Sequence, residues 1–278
     1  MLVVEAVRLA AARLAEGSDT ARLDAEVLMA HALGVTRSEL LLRHMRDPAP
    51  HGYASLVERR AAHEPIAYII GCQEFFGLPF AVTPEVLIPR SDSEVLVETA
   101  LARLPGARRV LDCGIGSGAL LLAVLAHLPE ATGCGVDRAP GALAVAARNA
   151  AALGLQQRAR MIEADWRESG WSDSLGGPFD LILANPPYVE DHASLSPSVR
   201  DFEPATALFA GPEGLDDYRV LIPQLPGLLA PGGLAMVEIG YGQAEAVAAI
   251  GAVTGLDSAL YHDLGGRTRV IVFSALSR

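Results

Sequence analysis

The sequence predicts an α/β fold in which a mostly parallel sheet carries helices on both faces, preceded by a small N-terminal helical bundle. Three observations point there. From residue 109 onward, strand-like and helical runs alternate regularly, the pattern of units whose crossovers make neighbouring strands parallel. A glycine-rich turn, Asp112-Cys113-Gly114-Ile115-Gly116-Ser117-Gly118, joins the first of these strands to a helix. A later apolar run, Leu181-Ile182-Leu183-Ala184, ends in Asn185-Pro186-Pro187-Tyr188, where two prolines stop the ladder in a fixed shape.

The elements follow in order. Residues 1–66 are helical in character, with breaks at Gly17-Ser18-Asp19, Gly34-Val35-Thr36 and Asp47-Pro48-Ala49-Pro50. Ser18 or Asp19 can cap the helix that follows, and Thr36 with Glu39 reads as a capping box. Residues 67–88 hold short β-prone runs (Tyr68-Ile69-Ile70, Glu74-Phe75-Phe76, Phe80-Ala81-Val82) separated by glycine and proline, and predict a β-hairpin linker. Residues 89–278 form the sheet domain. Asp92 can cap its first helix. Strands are expected at 109–112, 133–137, 160–163, 181–184, 233–238 and 269–273, and helices at 117–127, 140–153, 221–229 and 243–251.

The 278 residues suffice for one medium domain and a small one, and 51% of them are hydrophobic. With 22 Lys+Arg against 33 Asp+Glu, the net charge of -11 disfavours broad binding to nucleic acid, which needs phosphate neutralisation. Cys72, Cys113 and Cys134 show no CxxC pairing, so reduced thiols in a cytoplasmic protein are expected rather than disulfides or a zinc site. No apolar stretch is long enough to cross a bilayer, and the N-terminus lacks the basic region of a signal peptide.

The turn from Asp112 to Gly118 lets a ligand lie against the backbone. Alone it is a weak signal, shared by dinucleotide enzymes and methyltransferases, and a plain strand-to-helix turn is its lesser reading. Asp137 ends the next strand, at the spacing of a carboxylate that accepts both hydroxyls of a ribose; capping the helix after Pro140 is the other role, and the two are compatible. Asp165-Trp166 follows the third strand. Asp165 can take the exocyclic amine of adenine while Trp166 packs on the base, although an isolated Trp serves packing more often. There is no GxxxxGK[ST] loop, and the basic residues beside the turn, Arg108 and Arg109, lie upstream of it. A nucleoside without pyrophosphate is therefore expected, and S-adenosyl-L-methionine fits.

Transfer of its methyl group requires a nucleophile aligned with the C–S bond. The tetrapeptide of residues 185–188 suits a planar nitrogen group. If Asn185 Oδ1 and the Pro186 carbonyl accept its two N–H bonds, the nitrogen is fixed and gains electron density. Methylation makes it strongly acidic, so no dedicated base is needed. Tyr188 can cover the planar group and tolerate a nearby cation. A proline-rich strand exit with Tyr188 packed for shape is the plainer reading.

Together these residues resemble the HemK/PrmC family of glutamine methyltransferases. The resemblance covers most of the chain and extends to Leu87-Ile88-Pro89-Arg90-Ser91-Asp92-Ser93-Glu94, Arg200-Asp201-Phe202-Glu203-Pro204 and Gly214-Leu215-Asp216-Asp217-Tyr218. It implies a Rossmann-like class I methyltransferase sheet, with Asp112, Gly114, Ile115, Gly116, Ser117, Gly118, Asp137, Asp165, Trp166 and Asn185 binding S-adenosylmethionine and S-adenosyl-L-homocysteine as product. It further implies that Asn185, Pro186, Pro187 and Tyr188 hold the glutamine of the Gly-Gly-Gln motif of peptide chain release factors, with Arg90 as a substrate contact or hinge ion pair. The helical domain of residues 1–66 then grips the release factor. A monomer without direct nucleic-acid or membrane contact is expected, with no metal. Where the family commonly has Pro-Glu/Asp-Thr-Glu after the arginine, this chain has Ser91-Asp92-Ser93-Glu94. Ribosomal-protein glutamine methylation and methylation of the exocyclic amine of adenine in DNA or RNA are the alternatives. A non-catalytic cofactor-binding scaffold is a third, opposed by the intact Asn185 motif, and no constellation for hydride transfer is visible.

Overall fold

The computed structural model describes residues 1–263 and 265–275. The chain divides into two compact units, residues 1–72 with 195–202, and residues 73–194 with 203 onward.

The first unit is built of helices α1 (Val3–Leu14), α2 (Ala21–Leu33), α3 (Arg37–Glu39, running into a π-turn at Leu40–His44), α4 (Tyr53–Ala61) and α5 (Ile66–Ile70). Its core gathers Val3, Val7, Leu14, Leu28, Met29, Leu40, Val57 and Ile69. The Thr36–Glu39 capping box forms as the sequence predicts, the Thr36 side chain accepting from Glu39 N. The cap expected at Ser18 or Asp19 does not: α2 starts after Thr20 without a side-chain cap. The buried Asp24 carboxylate instead collects Ser18 Oγ (2.8 Å), Thr20 Oγ1 (2.9 Å) and Arg60 Nε (2.8 Å), because a buried charge requires donors. Tyr68-Ile69-Ile70, read as β-prone, is the helix α5. Pro65 launches it and Gly71, at φ +74°, ends it. A short apolar run does not distinguish a strand from a buried helical turn.

The hairpin of β1 (Cys72–Phe75) and β2 (Leu78–Ala81), whose first residue closes the first unit, is shorter than the sequence interval assigned to it. Its turn places Phe76 and Gly77 at positive φ. A 3-10 turn at Ser91–Ser93 then leads into α6 (Glu94–Arg103) with no side-chain cap; Asp92 pairs with Arg269 at 2.7 Å instead.

There follow β3 (Arg109–Cys113), α7 (Ala119–His127), β4 (Thr132–Asp137), α8 (Pro140–Ala152), β5 (Ala159–Glu163) and β6 (Phe179–Ala184). After α9 (Pro197–Arg200), which belongs to the first unit, come α10 (Asp216–Leu221), α11 (Leu225–Leu228), β7 (Leu229–Glu238), α12 (Ala244–Ala252), β8 (Leu256–His262) and β9 (Thr268–Ala275). The helix expected over 221–229 is broken into short pieces around Pro223 and Pro226, since proline lacks the donor a helix interior needs.

The seven strands lie in the order β5-β4-β3-β6-β7-β9-β8. Those from β5 to β7 are parallel, and β9 runs antiparallel to both β7 and β8. The edge strand β8 was not expected: Leu-Asp-Ser-Ala-Leu-Tyr-His has no β-branched residue, and most of it is exposed. Alternation splits the core into two layers. Val110, Leu181, Leu183, Leu234, Met236, Val270 and Val272 face the side covered by α6 and α7. Leu111, Ile182, Ala235, Val237, Ile271 and Phe273 face the other, where α12 packs. This is the period of two expected of strands buried on both faces. Among the described residues, no helix is long and apolar enough to cross a membrane.

Candidate active site

From β3 the chain runs outward to β4 and β5 on one side, then returns to β6 and β7 on the other. The C-terminal ends of β3 and β6 therefore flank the topological switch point, where open α/β sheets bind ligands. Register makes the juxtaposition specific. Ala184 lies opposite Cys113 on one side and Val237 on the other, so Asn185 leaves the sheet level with Gly114 and Glu238. A cavity of about 1040 Å³, counted with its open mouth, lies here. Gly114, Ile115, Gly116, Ser117, Asp137, Asp165, Trp166, Asn185, Pro187 and Arg90 all line it. Asp112, Gly118, Pro186 and Tyr188 do not line it.

The glycine turn is held from beneath. Gly114 N and Ile115 N donate to the Val136 carbonyl at 2.9 and 2.8 Å. Gly114 has φ +81°, and a Cβ there would sit 3.3 Å from the Trp166 ring, so both conformation and contact call for glycine. Asn149, fully buried on α8, fixes the turn to the hairpin. Its Nδ2 donates to Ser117 O (2.8 Å) and Ala81 O (3.0 Å), and its Oδ1 accepts from Ala81 N (2.8 Å).

Asp137 ties the turn to the entry of α8, whose N-cap is Ala139 with no side-chain cap. Oδ1 accepts from Ala139 N at 3.0 Å, at the start of α8, and Oδ2 accepts from Gly116 N at 3.1 Å. A carboxylate offers about four lone-pair sites, so capacity remains on the cavity side. Asp165 accepts from Arg167 N (2.9 Å) through Oδ1. Trp166 is fixed by its indole N–H, which donates to Asp217 Oδ1 at 3.1 Å.

Asp112 lies beneath the turn rather than in the cavity wall. It is 1% exposed, Oδ2 accepts from Leu121 N at 3.3 Å, and Oδ1 has no partner among the described residues. Burial pushes its pKa up to about 8, the Leu121 hydrogen bond opposing and the Asp137 charge reinforcing the shift.

At the end of β6, Asn185 Nδ2 donates to Ser93 Oγ at 3.4 Å. Tyr188 turns into the protein. Its hydroxyl donates to Glu238 Oε1 at 3.2 Å, and its carbonyl accepts from Gln243 Nε2 at 3.1 Å. Burial is the main cause of a Tyr188 pKa well above the ordinary range, with the Glu238 charge adding to it. Arg90 forms an ion pair with the buried Glu203, which also accepts from Ile88 N at 3.2 Å. Of the two roles open to Arg90, the ion pair is therefore formed, and its residue also lines the cavity.

Several cavity or supporting residues carry no signal of their own in the sequence: Glu85, Glu238 and Gln243. Ser93 lies inside a segment that carries the family resemblance, and its partner Asn185 reveals its task. Asp217 lies inside a segment that carries the family resemblance, and only its partner reveals its task.

Two family descriptions match the chain: the PrmC N-terminal domain over residues 5–71 and the methyltransferase small domain over residues 91–206. A release factor glutamine methyltransferase of Geobacter sulfurreducens is 46% identical over 92% of this chain and 90% of its own length. One from Cereibacter sphaeroides is 42% identical over 98% of both chains. Among solved structures, the hMettl16 catalytic domain in complex with MAT2A 3'UTR hairpin 6 superposes with a TM-score of 0.58 at 14% identity, over 79% of this chain and 83% of that one; at that identity it shares the fold alone. With similarity of this extent across the N-terminal helices and the sheet, the chain belongs to the release factor glutamine methyltransferase family.

Proposed function

We propose that this protein transfers a methyl group from S-adenosylmethionine to the side-chain amide nitrogen of the glutamine in the Gly-Gly-Gln motif of peptide chain release factors. The observation that carries this reading is Asn185. It lines the same cavity as the glycine turn, Asp137 and Trp166, and its own Nδ2 is committed to Ser93, which leaves Oδ1 as an acceptor for a planar N–H donor.

The residues present suit the cofactor. Asp137 has spare acceptor capacity for vicinal hydroxyls, the backbone at Gly114 and Gly116 allows close approach, and Trp166 is held rigid beside Gly114. When bound, the cofactor supplies an electrophilic methyl group on a sulfonium. The protein's own task is positioning. Asn185 Oδ1 accepts from the substrate amide and raises electron density at its nitrogen. Pro187 shapes the wall beside it. Tyr188, bonded to Glu238, anchors the strand exit rather than covering the substrate in this conformation. The helical unit of residues 1–72 contributes the grip on the release factor. A cytoplasmic location suits such a substrate and the three free cysteines, of which Cys113 and Cys134 are buried.

Purified release factor is incubated with this protein and S-adenosylmethionine, then digested and analysed by mass spectrometry. A single added methyl on the glutamine of the Gly-Gly-Gln peptide is expected. Methylation of ribosomal protein or of adenine in place of that glutamine would overturn the assignment.

A further inference from the structure

Asn185 can present either end of its carboxamide to the cavity, and the two ends are opposite in function. An outward oxygen accepts from a substrate N–H; an outward nitrogen repels it. Something behind Asn185 must choose. Its Nδ2 lies 3.4 Å from Ser93 Oγ. Ser93 is itself buried, 4% exposed, so its hydroxyl proton needs an acceptor. The Glu238 carboxyl, 2% exposed, ends the neighbouring strand level with Asn185. Ser93 is close enough to that carboxyl to lower its pKa against the larger upward push of burial. Oε2 has no hydrogen-bond partner among the described residues, and so is the acceptor left open to a rotating serine hydroxyl. The other oxygen, Oε1, is taken by Tyr188, which holds its proton and therefore donates. The backbone carbonyl of Glu238 accepts from the buried Tyr218 hydroxyl at 2.9 Å, so the residue is fixed on both sides.

We propose that Ser93 and Glu238 form a hydrogen-bond relay that sets the polarity of Asn185: Glu238 accepts from Ser93, Ser93 accepts from Asn185 Nδ2, and Asn185 Oδ1 is left facing the substrate amide. This deepens the function proposed above and rests on it for the identity of the substrate. Ser93 and Glu238 are positioning residues, since they act through Asn185. The same relay accounts for a hydroxyl residue at position 93, where the resemblance places threonine: either side chain can accept from an amide and donate to a carboxylate.

The Glu238→Gln variant keeps the shape and inverts the end of the chain. Its amide donates to Ser93, the Ser93 proton turns toward Asn185, and the carboxamide is drawn round so that nitrogen faces out. We expect kcat for release-factor methylation to fall by about 100-fold, with S-adenosylmethionine affinity by calorimetry unchanged. Ser93→Ala should lose a comparable factor, Ser93→Thr should restore the wild-type rate, and the double variant Ser93→Ala with Glu238→Gln should be no worse than either single one. Nitrogen-15 NMR of the Asn185 side-chain amide gives a readout independent of methyl transfer: its N–H resonances should move in Glu238→Gln and Ser93→Ala and return in Ser93→Thr. Identical resonances in all four proteins would overturn the relay, as would full activity of Ser93→Ala. Resonances that move as expected in the variants, together with a wild-type protein that leaves release factor unmethylated, would uphold the relay and overturn the substrate.

Discussion

The indole N–H of Trp166 donates to the carboxylate of Asp217 at 3.1 Å, across 51 positions of sequence. Asp217 is 4% exposed and also holds Arg167 at 2.9 Å. One buried carboxylate therefore orients both residues that follow Asp165 on the cavity wall. Asp217→Ala removes this anchor. A hydrogen bond to a charged group is worth about 1.5–3 kcal/mol, so S-adenosylmethionine should bind roughly 10- to 100-fold more weakly by calorimetry. Unchanged binding would mean that packing alone orients the indole.

Asn185→Ala should leave cofactor affinity largely intact and reduce methyl transfer on the order of 100-fold or more, because the loss is one of alignment. Single-turnover transfer to release factor checks this, and an unchanged rate would remove Asn185 from the reaction.

Glu203 joins two loops by accepting from Ile88 N and from Arg90. Glu203→Gln keeps an acceptor for Ile88 and removes the charge. The Arg90 side chain is 39% exposed, so solvent weakens the pair and a loss of only about 1 kcal/mol is expected. Glu203→Ala also strands the Ile88 N–H and should cost about 1–3 kcal/mol more. Urea unfolding of the two variants separates these contributions; equal losses would show that the charge alone matters.

Asp112 gives a pH dependence of definite sign. Its pKa is raised from 3.8 to about 8 in the folded protein, so the folded state binds the proton more tightly than the unfolded chain. The stability this provides is complete below the unfolded value and is lost as pH rises from about 4 to 8. Asp112→Asn preserves the shape without titrating. Its stability relative to wild type should therefore improve between pH 5 and pH 8, by up to about 1.4 kcal/mol per pH unit. The buried Glu238 carboxyl, also shifted upward by burial, is present in both proteins and cancels. A difference that stays constant with pH would show that Asp112 is ionised throughout.

Gly135 on β4 has no room for a methyl group: a Cβ there would lie 1.9 Å from Ile115 Cδ1. Ile115 lines the cavity. Gly135→Ala should therefore cost about 1–3 kcal/mol from overpacking and weaken cofactor binding through the displaced Ile115. Thermal unfolding with and without S-adenosylmethionine tests both; a full ligand-induced shift in the variant would show that Ile115 relaxes without disturbing the site.

The chain by itself determined what depends on neighbours in sequence. The alternation of strands and helices, the turn from Gly114 to Gly118, the Thr36–Glu39 cap and the proline-stopped exit after Asn185 are written in local periodicity and backbone restriction. Short apolar runs were ambiguous, which is why Tyr68-Ile69-Ile70 proved helical, and the exposed edge strand β8 lacked the composition of a strand.

Only the tertiary structure decided which side chains meet across the sheet. The order β3-β6-β7 brings Asn185 level with Glu238, turns the Tyr188 hydroxyl inward, and joins Trp166 to Asp217 and Arg90 to Glu203. A carboxylate reads in sequence as a solvated charge. Its role is set by burial and by partners 50 to 113 positions away, and those exist only once the strands have taken their places.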